Sequence, residues 1–80
     1  MTVYILIVED YGVMHNVSTY STKAKALKAL KAKMRVALKE CTMNAEEKKA
    51  VRKEVDTKLA YDIEFDRHWQ HAYIIENEVL

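Results

Sequence analysis

Residues 2–8 read Thr-Val-Tyr-Ile-Leu-Ile-Val. Six of the seven are apolar and most are β-branched or aromatic, which favours a pleated strand over a helix. A half-buried strand alternates apolar with polar residues, and this one does not. Val3, Ile5 and Ile7 point one way, while Tyr4, Leu6 and Val8 point the other. Both faces therefore need cover, as in a central strand with a layer on each side.

Working outward, Glu9-Asp10-Tyr11-Gly12 holds the chain's only glycine. Glycine enters positive φ without steric cost, so a tight hairpin of three residues ending on Gly12 is expected. Val13–Tyr20 places Val13, His15, Val17 and Thr19 on one face and Met14, Asn16, Ser18 and Tyr20 on the other. It is more polar than the first strand, which suits a sheet edge. Ser21 and Thr22 can cap a helix. Lys23–Glu40 is rich in Ala, Leu and Lys, strong helix formers. Leu27, Leu30, Met34, Ala37, Leu38 and Cys41 form an apolar stripe on it.

Asn44 followed by Glu47 matches a capping box and starts a second helix over Ala45–Lys58, with Val51 and Val55 as its apolar positions. Residues 59–66 carry two periodicities. Leu59, Tyr61, Ile63 and Phe65 alternate as in a strand, yet Val51, Val55, Leu59 and Ile63 continue a four-residue helical spacing; the alternation leans the reading to a strand. Residues 67–70 read as a connection and 72–79 as a last strand, with Tyr73, Ile75 and Val79 on one face. The expected architecture is a single α+β domain over residues 1–80. Its order is β-β-α-α-β, with three to four antiparallel or mixed strands. The last strand lies beside the first, and two helices pack on one face.

That leaves three large apolar residues of the first strand on the far side. Fully burying each such side chain is worth about 1.5–3 kcal/mol, against a net stability of ~5 kcal/mol for a small domain. Cover is expected from segment 59–69, a second subunit or a target protein.

Composition sets the outer bounds. Eighty residues, half of them hydrophobic, support one small core. One cysteine excludes an internal disulfide and a Cys-based zinc site. The apolar start is too short to span a bilayer and lacks a basic lead-in, so no membrane partner and a cytoplasmic location are expected. Formal net charge is +1. The first forty residues hold seven Lys or Arg and three Asp or Glu; the last forty hold six and nine. Such polarity can orient a partner or a second copy.

Catalytic chemistry is thinly represented. His68 and His71 have a His-x-x-His spacing without an accompanying glutamate or a fixed third ligand, so the expectation is no metal and no cofactor. Cys41 lies in phase with an apolar stripe and reads as a small hydrophobe. Asp62 and Asp66 could act as an acid–base pair only in a pocket. One glycine cannot build a phosphate-binding loop. The chain reads as non-enzymatic.

Two binding surfaces stand out. Tyr61, Phe65, Trp69 and Tyr73, with Arg67, fall within thirteen residues; aromatics and Arg are enriched at interface hot spots, though these rings could equally complete the core. On the first helix Lys25, Lys28, Lys31, Arg35 and Lys39 could track a phosphate backbone, making nucleic acid the alternative partner.

The layout resembles short α+β accessory proteins encoded by bacteriophages. Val3-Tyr4-Ile5-Leu6, Tyr20-Ser21-Thr22-Lys23-Ala24 and the run from Tyr73 to Val79 carry the likeness. The resemblance implies a protein that binds and blocks a host protein or complex in the host cytoplasm, for example as an anti-defence or anti-CRISPR inhibitor. Many such inhibitors mimic nucleic acid with strong negative charge, and this chain departs from that pattern. Occupation of a protein surface, by a module that is itself a homodimer, is the expected mode.

Overall fold

Strand β1 (Thr2–Asp10) is the second of four in an antiparallel sheet ordered β2-β1-β4-β3. The others are β2 (Val13–Tyr20), β3 (Ala60–Glu64) and β4 (Trp69–Glu78). Helices α1 (Lys23–Glu40) and α2 (Ala45–Lys58) lie between β2 and β3 in the chain. The computed structural model describes residues 1–10 and 13–79, and for residues 13–15 the backbone alone. The expected hairpin at Tyr11 and Gly12 falls outside the described residues.

The α+β class, the two helices and the upper count of four strands match the sequence reading. Pairing of β1 with β4 is regular from Thr2 opposite Glu78 to Asp10 opposite Gln70. Pairing with β2 slips once, because Val8 faces Asn16 while Glu9 faces Met14. The strict alternation expected across Val13–Tyr20 is therefore broken by this bulge.

One face of the sheet is dry. Val8, Ala72 and Tyr61 are direct cross-strand neighbours over β1, β4 and β3. All three are buried, with Leu6 and Ile63 on the same face. Onto them pack Leu30, Met34, Ala37 and Leu38 of α1 and Val51 and Val55 of α2. Aligned apolar residues at three- and four-residue spacing are what let each helix lie flat on the pleat.

The helix ends are fixed locally. Thr22 accepts a hydrogen bond from the Lys25 amide at 3.2 Å. Asn44 and Glu47 complete the capping box: the Glu47 amide donates to Asn44 at 2.9 Å, and the Asn44 amide donates to Glu47 at 3.2 Å. Leu59 ends α2 in the left-handed region, φ 55° and ψ 39°. A branched residue rarely sits there, and the conformation costs about 1 kcal/mol. It turns the chain into β3, and the Leu59 carbonyl accepts from the Ile74 amide at 3.0 Å.

Two expectations need correction. Strand β4 starts at Trp69, so Trp69 and Gln70 belong to the ladder, opposite Glu64 and Ile63, and not to a connection. Segment 59–69 does not cover the far side of β1: it supplies an edge strand within the plane of the sheet, followed by a turn.

Substituting Asn44→Ala removes one half of the capping box and should lower stability by about 1 kcal/mol. Leu30→Ala, in the dry layer, should cost roughly 3–5 kcal/mol and leave little folded protein. Urea unfolding followed by circular dichroism will rank them in that order.

Candidate functional site

The side of the sheet away from the helices is built from the odd-numbered residues of β1, β4 and the latter half of β2, and the even-numbered residues of β3. Register aligns them into rows. Val17, Ile7, Tyr73 and Ala60 form one row across all four strands. Thr19, Ile5 and Ile75 form the next. Val3 sits opposite Asn77 at one end. Glu9, His71 and Asp62 form a row at the other.

No segment of the described chain covers these rows. Val17 is 49% exposed, Ile75 44% and Trp69 41%, and Val3, Ile5 and Ile7 are half-buried by their neighbours alone. Scattered apolar residues on a surface are ordinary, but a contiguous patch on two central strands is a mark of a contact surface.

The polar end of this face is internally bonded. His71 Nδ1 lies 2.6 Å from Asp62 Oδ1. The Tyr73 hydroxyl donates to Glu9 at 3.4 Å, and the His71 and Tyr73 rings are 5.0 Å apart. Desolvation, followed by the Glu9 carboxylate, raises the Tyr73 phenol above its ordinary range. Of the thirteen Lys and Arg residues, twelve lie in the helices and Arg67 lies in the turn before β4. The open face thus presents carboxylates, Glu9, Asp62 and Glu64, and no Lys or Arg among the described residues.

The structure disperses the aromatic cluster. Tyr61 is fully buried under the helices and donates to Gln70 at 2.6 Å. Burial, and then the Asp10 carboxylate, drive its phenol far above its usual range. Phe65 packs against the core from the helix side and stacks on His68, with ring centroids 4.5 Å apart. Phe65 also borders a groove of ≈ 510 Å³ with Val8, Ala29, Val36, Ala37 and Gln70. Arg67 is exposed in the turn, 4.0 Å from Asp66. Trp69 and Tyr73 alone share the open face. What the sequence reading missed is the partner row, Val17 on β2 and Ile75 on β4; strand order was the signal that could have joined them.

No family model, curated protein or solved structure matches the chain.

The basic residues stay together. Lys28, Lys31 and Arg35 border a shallow hollow on α1, with Lys25 and Lys39 in line with them at either end. Lys31 is paired with Asp56 of α2 at 3.0 Å. His68 and His71 do not converge: one stacks in the turn and the other bonds Asp62. No group of three metal-ligating side chains occurs among the described residues. Cys41 is half-buried and donates to the Leu38 carbonyl at 3.3 Å. No helix is long and apolar enough to cross a membrane among the described residues.

Both raised tyrosines hold their protons more tightly in the folded chain than in the unfolded one. Their contribution to stability is therefore fully present below about pH 10 and is lost as pH rises through the raised folded values. Tyr61→Phe should cost about 1–2 kcal/mol at neutral pH by leaving Gln70 short of a donor. It should also flatten the alkaline loss. Denaturant midpoints measured from pH 7 to 11 will show the gap to wild type narrowing.

Proposed function

We propose that this chain is a non-enzymatic protein-binding module whose docking surface is the open face of the sheet. The observation that carries the reading is the uncovered apolar patch of Ile5, Ile7, Val17, Tyr73 and Ile75, continuous across three strands. It is bordered at one end by Trp69 and a row of carboxylates. An apolar centre supplies affinity, and a charged rim of one sign supplies orientation and selects against wrong partners. The occupant is a protein surface, either a second copy or a host protein. The setting the phage resemblance implies, an inhibitor or modulator of a host complex, is part of the proposal.

A second reading uses the other side. Segregation of twelve cations onto the helices favours an accessory role on nucleic acid through Lys25, Lys28, Arg35 and Lys39. The acidic sheet face repels a phosphate backbone, so this contact would be made by α1.

The immobilised chain should retain a specific partner from a bacterial lysate. Ile75→Lys should reduce retention at least tenfold, about 1.4 kcal/mol, while Val36→Lys on α1 leaves it unchanged. No specific retention, or retention indifferent to Ile75→Lys, contradicts the reading. For the second reading, Lys28→Ala with Arg35→Ala should weaken binding to a duplex and reduce its salt slope by about two.

A further inference from the structure

We propose that the occupant of the open face is a second copy of this chain, the two sheets packing face to face into a four-layer α-β-β-α dimer. This rests on the docking reading above and names its partner.

The first argument is area. The chain exposes 5537 Å², whereas a folded monomer of its mass ordinarily exposes about 5,000 Å². A specific interface buries upward of about 1,000 Å² in all, so each copy must give up roughly 500 Å², an amount of the size of that surplus. Shape agrees: the molecule is a slab 16 Å thick in its shortest dimension. Two sheets stacked about 10 Å apart would bury one broad face of each.

The second argument is symmetry. A two-fold contact requires a patch that maps onto itself. Ile5 and Ile7 lie midway along β1, and Tyr73 and Ile75 lie midway along β4, its hydrogen-bonded neighbour. An axis between the two layers, perpendicular to the strands, lays each strand antiparallel over its own copy. Ile5 then meets Ile7, and Ile75 meets Tyr73.

The third argument is charge. Glu9, Asp62 and Glu64 all lie toward one end of the face, and Val3, Thr19 and Asn77 toward the other. The same axis places the acidic end of each copy over the uncharged end of the other. An axis parallel to the strands would oppose two acidic rows, which is unfavourable.

Sedimentation equilibrium on the whole chain up to millimolar concentration tests this. Wild type should show twice the mass of the 9.3 kDa chain. Ile75→Lys and Val17→Lys, both at exposed positions, should show a single mass with an unchanged circular dichroism spectrum, and Val36→Lys should keep the double mass. A wild type of single mass throughout overturns self-pairing, as does a double mass surviving in both face variants. A single-mass chain that loses its lysate partner on Ile75→Lys overturns the dimer and keeps the docking reading. A single-mass chain whose retention ignores Ile75→Lys overturns both.

Discussion

The fold depends on one packing contact, the row formed by Val8, Ala72 and Tyr61 pressed beneath Leu30, Met34 and Val55. Three strands contribute to this row, and both helices cover it. It contains the bulkiest fully buried side chain, Tyr61, and the side chains on either side, Leu6 and Ile63, are also dry. Everything else follows from having a single layer of helices to spend. Two helices can cover one face of a four-stranded sheet, and β1 is apolar on both faces. The consequence is geometric: whatever residues alternate away from the helices are left on the surface.

Charge follows the same division. The helices gather nearly all the cations, because Lys and Arg favour helices and keep their heads in water. The open face keeps its carboxylates toward one end and apolar residues at its centre. Separation of the cations from an acid-bordered apolar patch gives the molecule two different sides. One is apolar with an acidic end, the other cationic. Polar contacts within the open face, Asp62 with His71 and Glu9 with Tyr73, use up hydrogen-bonding capacity at the acidic end without covering the apolar rows.

Much of this was legible in the residues. The unbroken apolar run of residues 3–8 announced a central strand, and the Ala, Leu and Lys pattern of residues 23–40 announced its cover. Asn44 with Glu47 marked the start of α2 because a capping box is a local device with a local signature. The end of α2 at Lys58 and the strand after it were read correctly, but the device that stops the helix was not legible. Its stop is a left-handed Leu59, a conformation no leucine advertises, so the helical and strand periodicities of residues 59–66 overlapped. Which rings of the aromatic cluster face inward was not legible for a related reason. Closeness in sequence is not closeness on a surface, and strand alternation sent Tyr61 inward while Trp69 and Tyr73 went out. The open patch needed strand order before Val17 could be placed beside Ile7 and Tyr73.

The central claim is that one copy leaves the far side of its sheet wet. The direct measurement is attenuation of methyl NMR signals by a soluble paramagnetic probe, at a dilution where the mass is that of one chain. Methyls of Leu6, Leu30 and Ile63 should be protected, and those of Ile5, Ile7, Val17 and Ile75 strongly attenuated. Equal protection of both sets in the single chain would mean that the sheet is covered on both sides, and would contradict the claim.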